Sequence, residues 1–417
     1  MTLMQLSALF LALITAIGWL NVRLFKLPPS VAMLSAGVVG ALVLLTAQTF
    51  IGPFWGFNAV QTMVKKLDFS QAVLGYMLAF LLFASGLQVD LAEVRKRRIA
   101  VWTLATFGVI LSTALVGVGV WAAAWALGTP LPLAWALTFG ALISPTDPIA
   151  VLSAMKSGAV SPRLGAILQG EALFNDGVGF VAFTTALAFA VSGAAPHPLH
   201  TAGLVLLEAG GGLVLGLISA RMMVFAFRGL HDHVLAVTAT LTLSVGVYVL
   251  ADLFHLSGPI AAASAGLIVG SDSVKARMSD RTRYHVEGFW ETVDQVLNAV
   301  LFLLLGLQVF VLPFDPREMG LWAAAVGLSA LARFLVVVPW GAFFHFRHAE
   351  RGASLVLTWG GLRGAVSLAL ALSLPHGPYR SVLLGVTFVV VIFSVVIQGL
   401  TFGPLAARLS KLTEARD

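Results

Sequence analysis

Cysteine is missing from this chain altogether, and only 11% of its 417 residues carry a formal charge. Without cysteine there is no disulfide framework, no thiolate metal site and no thiol nucleophile. A soluble domain devotes about 25% of its residues to charge, so this composition cannot make a water-facing globular surface. The sequence also lacks a phosphate-binding glycine loop, metal-ligand spacing and low-complexity tracts. The opening "MTLMQLSALFLALITAIGWL" has no basic residues ahead of its apolar run, so it reads as a first span and not as a secretion signal.

What is present is apolar: 59% of the residues are hydrophobic. A spanning helix takes about 20 mostly apolar residues. Hydropathy predicts an all-α polytopic membrane protein of thirteen helices, from 3–20 at one end to 381–406 at the other. The third is expected at 70–87, the fifth at 132–155, the tenth at 288–312 and the twelfth at 352–374. Of the 25 lysines and arginines, nineteen fall in loops after odd-numbered helices. Four (Lys65, Lys66, Arg317 and Arg380) fall in loops after even-numbered ones. Positive charge accumulates on the cytoplasmic side, which places the N-terminus outside and the C-terminus in the cytoplasm. The "RKRR" stretch at 95–98 is then a topology signal able to touch anionic lipid, and not a nucleic-acid element.

Asp147, Glu171, Asp176, Glu208, Arg333 and Arg363 fall well within spans, while Asp252, Glu291 and Asp294 lie nearer span ends. A charge at the bilayer centre costs roughly 3 kcal/mol, and such residues pair with one another or line an ion path. The plain alternative for each is a structural ion pair or a misplaced helix end, and it is strongest for Asp252, Glu291 and Asp294. Asp147 sits in "ISPTDPIA". Pro145 and Pro148 each remove an amide donor and disfavour helix before them, which predicts a broken helix with freed carbonyls, Thr146 among them. The bland reading is a simple proline kink. Irregular backbone at that depth is tolerated where it is packed or lines a cavity, and transporters bind ions there.

In "EALFNDGVGF" at 171–180, Glu171 and Asn175 share a helix face, and Asp176 points about 100° away with Gly177 and Gly179 beside it. Small residues let another backbone come close. Arg363 is ringed by Gly360, Gly361 and Gly364, which predicts a second opened helix. An arginine at depth needs an anionic partner or water. Glu171 is the first choice, an expected structural ion pair that leaves Asp147 and Asp176 for a mobile cation or proton. The two interrupted helices occupy corresponding places in two helix triples, as in an inverted-repeat transporter. Gly37, Gly40 and "EAGGGLVLG" at 208–216 are read as close helix packing. The histidines of "HDH" (231–233) and "HFRH" (345–348) are read as interfacial, with a pH sensor the sharper alternative.

"SPTDP", "EALFNDG" and "GLRGAVSLALAL", in this order and with "FWETVDQVLNAVLFLLLGL" and "ARFLVVVP" between the last two, resemble the sodium/proton exchangers of the monovalent cation:proton antiporter superfamily. The similarity is to the branch with an Asn-Asp pair. It implies a homodimer of thirteen-helix protomers in the cell (inner) membrane, with no cofactor and with transported Na+ (or K+ or Li+) and H+. Helices 1–3 (1–92) and 7–10 (198–312) would form a dimer scaffold. Helices 4–6 (99–192) and 11–13 (318–407) would form an ion-binding core, ahead of a short tail (408–417). The resemblance implies cation and proton binding at Asp176, with Na+ also reached by Asp147 and the Thr146 carbonyl, and with Asn175 steadying the site. It also supports the Glu171–Arg363 pair. Relatives often carry serine where this chain has Ala172, and some carry a glutamate in the third helix, where this chain has no acid.

Two rivals share these residues. A cation channel could line its pore with the same acids, and an intramembrane aspartyl protease could use Asp147 and Asp176 as a proton-sharing pair. Asp147, buried in a proline break, suits the protease poorly.

Overall fold

The computed structural model describes residues 3–51, 77–193, 198–226, 232–310, 315–348 and 352–414. Lys65, Lys66, the first part of the third expected helix and His231 lie outside the described residues, as do the side chains of His345, Arg347 and His348. Among the described residues the regular structure is helical, interrupted by one backbone bridge between Asp147 and Leu362.

Nine helices there are long and apolar enough to cross a membrane. Leu78–Gln88, Leu133–Ile143 and Gly258–Val269 are apolar but shorter, and 353–372 is divided into two short helices. Among the described residues length and composition thus pick out nine of the thirteen expected spans, and the other four fall at short, cut or partly undescribed segments. Trp125 is 81% exposed and both Phe107 and Leu206 are 74% exposed. Apolar surface on this scale marks a membrane-facing exterior.

The Asp280–Leu307 helix begins eight residues before the expected 288. Hydropathy cannot see this polar first part. Ser279 caps it by accepting from the Thr282 amide at 3.1 Å. Glu287 then pairs with Lys275 at 3.0 Å and with Arg283 at 3.1 Å. Further along, Trp290 is fully buried against Phe83, ring centroids 4.6 Å apart, and its indole N–H donates to Thr240.

Of the glycines read as contact points, Gly37 lies where a methyl would meet the Leu303 carbonyl at 2.7 Å, so the Pro29–Ile51 and Asp280–Leu307 helices touch through backbone. Gly212 and Gly216 face Ser257 and Ala261 in the same way. Gly40 and Gly210 have open space beside them and make no such contact.

Both expected interruptions are present, each in the second member of a helix triple. Leu133–Ile143 stops before Pro145, and Ile149–Lys156 resumes after Pro148. Ala353–Trp359 stops at Gly360, and Ala365–Leu372 resumes after Gly364. The flanking members are long: Pro162–Ser192 in the first triple, and Met319–His348 in the second.

Candidate functional site

The two interruptions cross and bind one another. The amide of Asp147 donates to the Leu362 carbonyl at 2.7 Å. The Arg363 guanidinium donates to the Ser144 carbonyl and, at 3.2 Å, to that of Pro145. Its own amide donates to Ser394 Oγ at 2.7 Å, and Ser394 passes its proton on to Gln398 within the π-helical turn Phe393–Gln398. Pro145 and Pro148 supply no amide donors to the helix, and the carbonyls this frees need partners at depth. Arg363 meets that need at the negative end of the Leu133–Ile143 helix. Asp147 does the opposite service. Its Oδ1 accepts from the Ile149 amide at 2.9 Å and so covers the positive end of Ile149–Lys156.

The expected Glu171–Arg363 pair does not form. Glu171 is held by Arg333, which donates through both terminal nitrogens, one of them at 2.8 Å to Oε2. The same arginine donates to the Leu357 carbonyl from Nε at 3.3 Å and from a terminal nitrogen at 3.1 Å. Arg333 thus serves the open end of Ala353–Trp359 as Arg363 serves that of Leu133–Ile143. The physical reason for the correction is that carbonyls freed by the proline break satisfy Arg363 without an acid. Glu171, Arg333 and Arg363 are all closed off from solvent.

Asn175 is fully buried and donates Nδ2 to the Thr146 hydroxyl at 2.7 Å, tying the long Pro162–Ser192 helix to the proline break. Its Oδ1 is buried without a partner. Gly179 lets the Pro145 ring settle against the same helix, where any Cβ would collide with it. Gly364 does the like for Asp147: a Cβ there would stand 2.7 Å from Oδ2 and 2.9 Å from the Asp147 Cβ. Neither residue can be anything larger without displacing the break.

Asp176 borders a cavity of about 70 Å³ that it shares with Thr146, Asp147, Ser367, Asp294 and Asn298. Asp176 also borders a smaller cavity of about 30 Å³, lined by Gln88, Gln169 and Ala172. Among the described residues no hydrogen bond or ion pair engages the Asp176 carboxylate. The structure therefore brings Asp147, Thr146 and Asp176 to one cavity, with Asn175 bonded to Thr146 behind it. Glu171 and Arg333 form a separate pair.

Sequence reasoning missed two contributors. Asp294, read as a span-end residue, lines the cavity, accepting from Asn298 at 3.0 Å. The signal was the Asp294/Asn298 spacing of four, which puts both on one helix face. Ser367 gave no signal, since a lone serine in an apolar helix is unremarked by charge or hydropathy.

The description "Sodium/hydrogen exchanger, transmembrane" belongs to a family that matches residues 9–408. The Na(+)/H(+) antiporter NhaP of Pseudomonas aeruginosa is 38% identical over 412 residues, covering 98% of this chain and 97% of that protein. The Na(+)/H(+) antiporter NhaH of Halobacillus aidingensis is 34% identical over 398 residues, 93% of each. The solved structure of the sodium proton antiporter MjNhaP1 from Methanocaldococcus jannaschii superposes with a TM-score of 0.71 at 20% identity, covering 97% of this chain and 96% of that one. At that identity the likeness speaks for the fold. These relatives are transporters, and neither the channel nor the protease reading finds support among them. The chain is a multi-pass membrane transporter and belongs to the sodium/hydrogen exchanger family.

Proposed function

We propose that the chain exchanges one Na+ for one H+ at Asp176, alternately exposed to the two sides of the inner membrane. The observation that carries this reading is the Asp176 carboxylate, unengaged by any described partner and facing a cavity shared with Asp147 where two interrupted helices cross. A hard monovalent cation wants several oxygens, and two carboxylates with the Thr146 oxygens supply them. Protonation removes the charge the cation needs, so the two ligands compete for one group and each lowers the other's affinity. Na+ is the cargo named for the relatives, with Li+ and K+ as alternatives.

Three coarser features support the cycle. The loop charges favour an outside N-terminus and a cytoplasmic C-terminus. The paired interruptions favour a moving core of 99–192 and 318–407 against a scaffold of 1–92 and 198–312, and two copies joined through that scaffold would form the homodimer. Glu171–Arg333 belongs to the frame of the core, and Asn175 holds Thr146 in place.

Purified protein in liposomes with an imposed pH gradient, offered Na+, Li+ and K+ in turn, tests the reading. Cation-dependent collapse of the gradient in the wild type, absent in Asp176→Asn, is the expected result. Collapse that persists in Asp176→Asn would move the binding site elsewhere.

A further inference from the structure

Ser367 is 1% exposed, and its hydroxyl is buried with no hydrogen-bond partner. Buried hydroxyls in this protein usually return their proton to a carbonyl three or four residues back. Ser144 does so to Gly140 at 2.6 Å, Thr387 to Leu383 at 2.6 Å and Thr138 to Ala134 at 2.9 Å. For Ser367 those positions are Gly364 and Arg363, and both lie in the helix interruption. Gly364 is extended, with φ −114° and ψ −167°, so its carbonyl is not turned along the helix that follows. The interruption that binds Asp147 thus also strips Ser367 of its ordinary internal partner.

A hydroxyl shut away from water and unpaired carries a desolvation cost that hydrogen bonding normally offsets. Ser367 opens onto the cavity bordered by Asp147 and Asp176. The other neutral groups there are differently placed. The Thr146 hydroxyl is taken by Asn175. Ala172, one turn before Asp176 on the same helix, lines the smaller cavity and has no side-chain oxygen to give. Ser85 lines the same cavity from the Leu78–Gln88 helix, but it is only half-buried. A hydroxyl has two lone pairs and keeps no charge at any pH of interest. It can therefore meet a cation, or donate to a carboxylate once the cation has left, without adding a titrating group.

We propose that the Ser367 hydroxyl is a further ligand of the transported cation, reaching the Asp147/Asp176 cavity from the second interrupted helix and setting affinity and cation preference. The assignment rests on the Asp176 reading. As a neutral oxygen it acts on how tightly the cation is held, while the carboxylates decide how many protons are exchanged for it.

The test compares wild type, Ser367→Ala, Ser367→Thr, Ser85→Ala and Asp176→Asn, all as full-length protein in proteoliposomes and in detergent. Ser367→Ala is expected to raise the Na+ KM about fivefold to tenfold with little change in maximal rate, and to alter the Li+/Na+ ratio. Its stabilisation against heat by added Na+ should shrink in parallel, and Ser367→Thr, which keeps the hydroxyl, should recover the affinity. Overturning results are a Ser367→Ala protein with wild-type KM for every cation, or one whose only change is a lower Tm without Na+. A KM rise in Ser85→Ala but not in Ser367→Ala would equally overturn the assignment. Asp176→Asn separates the two claims. If it still transports, the site itself is misplaced; if it is inactive while Ser367→Ala behaves as wild type, the serine assignment alone fails.

Discussion

The amide of Asp147 donates to the carbonyl of Leu362 at 2.7 Å, so two helices interrupted at different points of the chain share a backbone bond at their crossing. Arg363 adds a side-chain tie to the Ser144 and Pro145 carbonyls beside it. The crossing is thereby one unit. Asp147 is placed by main chain on both sides rather than by its own rotamer.

Asp176→Asn is expected to abolish exchange and leave a well-folded protein. No described residue pairs with this carboxylate, so removing its charge breaks no contact and relieves desolvation. Thermal unfolding in detergent should be unchanged or shifted upward, while proton-coupled Na+ uptake in liposomes vanishes. A destabilised variant would show that Asp176 supports the fold.

Arg333→Ala strands Glu171 as an uncompensated buried charge and frees the Leu357 carbonyl. Breaking a buried pair from one side typically costs about 3–5 kcal/mol. Yield and unfolding temperature should fall, and the double variant Glu171→Leu/Arg333→Met should regain much of the loss. Arg363→Ala should be less destabilised than Arg333→Ala, because its guanidinium is bonded to neutral carbonyls and not to a carboxylate. The opposite ranking by thermal unfolding would return Glu171 to Arg363.

Gly364→Ala puts a methyl 2.7 Å from Asp147 Oδ2. The carboxylate must shift, so Na+ affinity should drop by about tenfold or more for a displacement costing 1.4 kcal/mol or above. Gly377→Ala, where no atom lies within 4 Å, should transport as the wild type does. Equal KM values for the two variants would show that Asp147 is not held by Gly364.

One-for-one exchange moves no net charge. A potential of 100 mV acts on each net charge with about 2.3 kcal/mol, so an electrogenic cycle would show it plainly. In proteoliposomes at a fixed pH gradient, Na+ uptake should reach the same end point at zero potential and at a large one. A voltage-dependent end point would make Asp147 a second proton carrier.

The helix interruptions were legible because their residues break helices for backbone reasons, two prolines around Asp147 and three glycines around Arg363. The grouping of Asp147 with Asp176 was legible because charge at depth is rare enough to be conspicuous. The partner of Glu171 was not, since two arginines stood at depth and only the fold shows that carbonyls already satisfy one of them. Asp294 read as a span-end residue because helix Asp280–Leu307 extends past the apolar stretch, which moved the expected span end toward a residue that lines the cavity. Ser367 depended on a missing acceptor, and that can only be seen in three dimensions.

The hold of the Ser144 and Pro145 carbonyls on Arg363 keeps one positive charge permanently beside Asp147. Asp294 lines the same cavity as Asp147 and Asp176, so Arg363 offsets part of the acid charge gathered there and a bound Na+ or proton offsets more. An assembly with net charge meets the self-energy of an ion in a low-dielectric medium, and a neutral one does not. In the proposed cycle the loaded core would then meet a smaller barrier to crossing than the empty one. On that balance a variant that lost the Arg363 charge would leave even the loaded core more negative, and exchange would be expected to slow.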